Sequence, residues 1–97
     1  LDQILWPVHC VQGTWGSEFS TRLDLARIDK LIYKGIDPLI DDYSIFYDNE
    51  MRKSTGLDSY LKEKGVKEVY LAGLATDYCV LYSVLQAVKL GFQPYVI

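Results

Sequence analysis

The sequence predicts an α/β fold built on parallel strands, and two observations carry that prediction. Residues 66–74 (VKEVYLAGL) are rich in β-branched and apolar side chains and read as a buried strand, and residues 93–97 read as a further strand. Between them, residues 78–90 place Val80, Val84, Ala87 and Val88 on one helical face, with Gly91 as the stop. Strand, helix and strand joined by short loops form a βαβ unit, with parallel strands and a right-handed crossover.

The remaining elements follow in chain order. Residues 1–20 read as loop, punctuated by Pro7, Gly13 and Gly16 and carrying the unusual loop residues Trp6, His9, Cys10 and Trp15. Residues 23–28 form a short helical turn. Residues 30–33 are a short apolar run ending at Lys34-Gly35, which reads as a strand. Residues 36–55 are again irregular, and so long a connection inside a compact domain is usually functional. Leu57, Tyr60 and Leu61 have helical spacing, with Ser54 or Thr55 as N-cap and Gly65 as terminator. Thr76 and Asp77 are N-cap candidates for the 78–90 helix.

Composition narrows the function. Of 97 residues, 49% are hydrophobic and 24% charged, the balance of a globular chain rather than a disordered one. The length allows one small domain. A net charge of −3 with 10 Lys+Arg argues against a nucleic-acid partner. No apolar run approaches the roughly 20 residues that span a bilayer, and no signal peptide is visible, so no membrane partner is expected. Cys10 and Cys79 lie too far apart in the sequence to suggest a disulfide framework; they suit a reducing, cytoplasmic setting. The chain opens on Leu1 and stops inside a strand, with no cap or polar tail at either end. It therefore reads as a piece of a longer protein.

Cys79 is the first candidate for chemistry. It lies just past the C-terminal end of the 66–74 strand, in the first turn of the next helix, and open α/β sheets bind ligands at such strand ends. Backbone N–H groups at a helix start stabilise a thiolate and can hold a developing oxyanion. The competing reading is a small buried apolar residue. Lys34, also at a strand end, could balance a thiolate or a carboxylate, or be a solvated lysine. His9, the single histidine, could ligate a metal, serve as a base for Cys79, or merely sit on the surface. Cys10 reads as packing. Trp6, Trp15, Tyr43, Phe46 and Tyr78 could wall a flat apolar pocket or cover the rim of a small core. Asp41, Asp42 and Asp77 are nearby carboxylates, and Asp77 suits a cap better than acid–base work.

Read together, Trp6-Pro7-x-His9-Cys10-x-x-Gly13-Thr14, Tyr33-Lys34-Gly35, Asp42-Tyr43-Ser44-x-Phe46 and the segment GLATDYCV at 73–80 form an ordered pattern. In that order and spacing the chain resembles the nicotinamidase/pyrazinamidase branch of the isochorismatase-like cysteine hydrolases. The GLATDYCV segment points to the superfamily and WPxHC to the branch. The resemblance spans residues 1–97, as the central and C-terminal part of one domain. It implies a three-layer α/β/α fold with a parallel sheet.

The resemblance also implies a Cys–Lys–Asp triad, with Cys79 as nucleophile and Lys34 as its lysine. The aspartate lies upstream of these residues. Ala75 and Cys79 would supply the oxyanion-hole N–H groups, and the Leu74–Ala75 bond would be cis. Trp6 and Tyr43 would sandwich a pyridine ring, with Tyr78 beside it. His9 would bind one divalent metal ion (Zn, Fe or Mn), its other ligands lying upstream. The implied reaction converts nicotinamide, or pyrazinamide, to the acid and ammonia through a thioester, in NAD salvage. Alternatives are another hydrolase of the superfamily, for which His9 has no evident use, or a non-catalytic fragment or binding module. Partners left open are a second copy of the chain and a complementing chain whose strand completes the sheet edge.

Overall fold

The computed structural model describes residues 3–97. The chain divides into two compact units, one ending at Leu31 and one running Ile32–Ile97. In the first, no described residue is buried. Two 3₁₀ turns, Trp15–Ser17 and Leu25–Arg27, shape it, the second inside the helical turn expected at 23–28. Polar side chains supply what a core does not. Asp24 accepts the Ala26 N–H at 3.0 Å, and the Thr14 and Ser17 hydroxyls donate to the carbonyls of Val11 and Thr14. Cys10, expected in packing, is exposed at φ 48°, because this unit offers no interior to pack into.

The second unit contains helix α1 (Leu57–Glu63), strand β1 (Glu68–Leu71), helix α2 (Leu81–Lys89) and strand β2 (Gln93–Val96). The two strands are parallel, with Glu68 opposite Gln93, Val69 opposite Pro94, Tyr70 opposite Tyr95 and Leu71 opposite Val96. The βαβ unit therefore stands as expected. Both strands are shorter than their apolar runs, and β1 alternates exposed and half-buried residues instead of being buried throughout. A strand that pairs on one side and packs on one face has this pattern. The expected strand at 30–33 is absent, since a strand requires a bonded neighbour and β1 pairs with β2 alone among the described residues.

The core is small and aromatic. Phe46, Ala87 and Phe92 are buried, flanked by Ile45, Tyr47, Leu57, Leu61, Val69 and Leu90. The Phe46 and Phe92 rings stack at 5.9 Å. Phe46, a candidate pocket wall by sequence, is thus a core residue with no exposed surface. Helix α1 starts from Gly56 at φ 88°, a conformation that a Cβ disfavours. Ser54 and Thr55, the expected caps, act one step earlier: their hydroxyl oxygens accept the N–H groups of Gly56 and Leu57. Gly65, at φ 73°, ends the helix as expected.

Candidate active site

Between β1 and α2 the chain makes a wide turn over Thr76–Val80. The Val80 N–H donates to the Ala75 carbonyl at 3.1 Å, five residues back, where a regular helix reaches four. The Tyr78 N–H donates to the same carbonyl at 3.1 Å. Ala75 is therefore the N-cap, and neither Thr76 nor Asp77 caps the helix through its side chain. The Leu74–Ala75 peptide is cis. Cys79 lies in this turn, half-buried.

The long irregular segment expected at 36–55 lies against α2, and side chains accept more of its backbone N–H groups than backbone carbonyls do. The Ser83 hydroxyl accepts the Ile45 N–H at 3.0 Å, and Gln86 Oε1 accepts the Tyr47 N–H at 3.1 Å. Thr55 Oγ1 donates to the Ile45 carbonyl at 2.6 Å, and the Ser44 hydroxyl accepts the Phe46 N–H. The Asp48 carboxylate accepts N–H bonds from Glu50, Arg52 and Lys53 at 2.9–3.1 Å. Burial pushes its pKa up, but these backbone donors, led by Arg52 and Lys53, and the Arg52 charge outweigh that, leaving the carboxyl below its ordinary value.

This segment meets Lys34 at its upstream end. Lys34 Nζ donates to the Asp42 carbonyl at 2.6 Å and lies 3.6 Å from Cys79 Sγ. The Asp42 carboxylate accepts the Gly35 N–H at 2.8 Å, fixing the backbone beside Lys34. An ammonium so placed can balance the charge of a thiolate. The structure thus joins Lys34 and Cys79, the two predicted catalytic residues, across 45 positions of sequence. Tyr43, next along the segment, meets the Tyr78 ring edge-on at 5.7 Å and the Tyr82 ring at 5.3 Å. Tyr78 belongs to the same turn as Cys79, and Tyr82 to the start of α2.

Trp6 and His9 belong to the other unit. Both are exposed, and His9 Nδ1 lies 2.6 Å from the Pro7 carbonyl. A carbonyl only accepts, so Nδ1 is the donor in this contact, and Nε2 is the ring nitrogen left to face a metal, as in ligating imidazoles whose other nitrogen donates to a carbonyl. Among the described residues no three His, Cys, Asp or Glu side chains cluster as a metal site. His9 therefore fits one coordination position and makes no site by itself. The same unit has an open recess of about 250 Å³ lined by Phe19, Leu25, Ile28, Asp29, Lys30 and Leu31, none of them a predicted site residue.

Sequence reasoning overlooked Ser83, Gln86 and Asp48. The signal was present: Ser83 and Gln86 are polar residues on the buried side of α2 beside Val80 and Ala87, and a buried polar side chain needs a partner. Val88, expected on that face, is 59% exposed, so the buried stripe is narrower and more polar than its apolar spacing suggests.

Comparison with known proteins bears on the family and the fold. The model of a family described as the isochorismatase domain matches residues 1–97. The chain is 47% identical over 95 residues to a nicotinamidase of Acinetobacter baylyi, covering 98% of this chain and 44% of that protein. Its fold is similar to that of an Acinetobacter baumanii nicotinamidase and pyrazinamidase, with TM-score 0.94 and 46% identity over 98% of this chain and 46% of that one. It is also similar to the pyrazinamidase of Pyrococcus horikoshii in complex with zinc, with TM-score 0.78 and 39% identity over 95% of this chain and 47% of that one. The chain spans about half the length of the relatives it matches. No helix among the described residues is long and apolar enough to cross a membrane.

Proposed function

The chain belongs to the isochorismatase domain family, and on that premise we propose that the protein it represents is an amidohydrolase converting nicotinamide to nicotinate and ammonia. The observation that carries the reading is the Lys34 ammonium 3.6 Å from the Cys79 sulfur, held there by the Asp42 carbonyl. The identity to nicotinamidases supports the choice of substrate. Pyrazinamide, which presents the same carboxamide on a similar flat ring, is an expected second substrate.

The steps follow from the residues. The Cys79 thiolate attacks the carboxamide carbon, forming a C–S bond while the carbonyl π electrons move to oxygen. The N–H groups of Ala75 and Cys79 hold that oxyanion. The oxyanion collapses, the C–N bond breaks, and the nitrogen leaves as ammonia with a proton taken earlier from the thiol. An aspartate outside residues 1–97 carries that proton. Water then attacks the thioester, releasing nicotinate and the thiol. Lys34 balances negative charge on the sulfur and the aspartate. Tyr43 and Tyr78 supply flat apolar surface for the ring. Trp6 and His9 enter by resemblance: Trp6 would contact the ring, and His9 would be one ligand of a divalent metal ion, which when bound would supply a positive charge that helps orient the ring. The reading carries a cytoplasmic location and a place in NAD salvage.

Ammonia release from nicotinamide by the whole protein, with and without thiol alkylation, tests this. Release that alkylation abolishes is expected, and Cys79→Ala should lower kcat at least about a thousandfold. No release with divalent metal supplied would overturn the substrate assignment, and unchanged release by Cys79→Ala the mechanism.

A further inference from the structure

Ser83 is buried, with 1% of its surface exposed, yet it belongs to neither the substrate contacts nor the reacting groups assigned above. Its hydroxyl makes two bonds. It donates to the Cys79 carbonyl at 2.6 Å, one helical turn back, and accepts the Ile45 N–H at 3.0 Å. The hydroxyl's one proton and an acceptor lone pair are thereby both used, in opposite directions. A hydrophobic residue of similar size would leave the Ile45 N–H without this acceptor, next to a fully buried Phe46.

These bonds close a ring. From the Cys79 carbonyl the path runs through the Ser83 hydroxyl to the Ile45 amide. It then follows the backbone through Ser44 and Tyr43 to Asp42. The Asp42 carbonyl holds Lys34 Nζ at 2.6 Å, and Lys34 Nζ returns to Cys79 Sγ at 3.6 Å. Every other junction is a covalent backbone or a short hydrogen bond, so the weakest link, the ammonium–sulfur approach, is set by the rest. Gln86 braces the same segment at Tyr47, outside the ring.

We infer that Ser83 is a positioning residue: its hydroxyl fixes the segment bearing Asp42 and Tyr43 against the turn bearing Cys79, and so sets the approach of Lys34 to the sulfur. The inference rests on Cys79 as nucleophile and adds a residue to that site. Because the ring ends on the ammonium, removing the hydroxyl should impair the chemical step more than ring binding: Tyr43 is also held by Asn49, whose side chain accepts its N–H at 3.1 Å, and by the Tyr78 and Tyr82 rings, contacts that do not pass through Ser83. A merely structural serine would instead lower stability and leave the surviving folded enzyme with its normal constants.

The test uses the whole protein and three measurements. Ser83→Ala should lower kcat roughly tenfold or more while KM changes less than about threefold. Iodoacetamide modification of Cys79 at neutral pH should slow by a similar factor, a readout that needs no substrate and stands even if nicotinamide is not the substrate. Ser83→Thr, which keeps the hydroxyl, should recover most of both. Equal kcat and equal alkylation in folded Ser83→Ala would overturn the inference, as would Ser83→Thr behaving like Ser83→Ala. Should Ser83→Ala fail to fold, amide hydrogen exchange on the unaltered protein decides: a protected Ile45 N–H supports the ring, and an Ile45 N–H exchanging at the rate of an open loop overturns it.

Discussion

Lys34 shows what one residue's position can do. It is exposed, and nothing in its immediate sequence distinguishes it from a solvated lysine at a strand end. Its contacts with the Asp42 carbonyl and the Cys79 sulfur suit the charge-balancing task proposed for it. Replacing it by Met keeps the stem and removes the charge, so kcat for nicotinamide should fall roughly a hundredfold in steady-state assays. Lys34→Arg should recover little, because a planar guanidinium cannot reproduce a compact ammonium that serves a carbonyl and a sulfur together. Cys79 and Lys34 were legible as candidates because strand ends and helix starts concentrate chemistry, and the family pattern then paired them. Ser83 was legible only as a polar residue on the buried side of α2; its partner, 38 positions away, was not, because the spacing of apolar residues does not encode such contacts.

At the scale of elements, the irregular 36–55 segment is held by side chains more than by its own backbone. Asp48 organises its far end, accepting three backbone N–H bonds while 3% exposed. Asp48→Ala should cost about 2–4 kcal/mol, read from urea denaturation of the whole protein, because buried donors lose a charged acceptor. The pH dependence has a definite sign. The folded carboxyl titrates below its unfolded value, so its contribution is fully present at neutral pH and above the unfolded value of ~3.9. It is lost as pH falls through the lower folded value. Asp48→Asn should therefore flatten the acid limb of the stability curve. Phe46→Ala should cost about 3–5 kcal/mol in the same assay, since it empties the centre of the core. The helices and the parallel strand pair were readable because their periodicity is local. The missing strand at 30–33 and the uncovered face of β1 were not, because pairing and burial depend on neighbours that an isolated run does not specify.

At the largest scale, the sheet has two strands among the described residues, and the unit ending at Leu31 has no buried described residue. So small a parallel sheet is marginal alone, since parallel strands are normally covered on both faces. The 97-residue polypeptide by itself should neither release ammonia from nicotinamide nor retain zinc through desalting. Turnover by a verified preparation of that length would contradict this. Fold class was the most legible property at this scale: a strand–helix–strand succession admits few topologies, and the family match over residues 1–97 agrees with it. The distance from His9 to any second metal ligand could not be read in the same way, because the pattern that implies a metal places those ligands outside these residues.

The wide turn at Thr76–Val80 acts as a phase shifter. A single extra residue in one turn offsets the angular order of everything before it by about 100° relative to the helix that follows. Cys79 and Ser83 stay four residues apart whatever happens upstream, whereas Ala75 owes its bearing on Cys79 to that one added residue. A chain shortened by one position there would keep its helix, its thiol and its serine, and would turn the Ala75 amide out of line with them. In comparing distant sequences, a one-residue gap in this segment therefore marks a rotated Ala75 amide, the donor proposed for the oxyanion, even where every named side chain is retained.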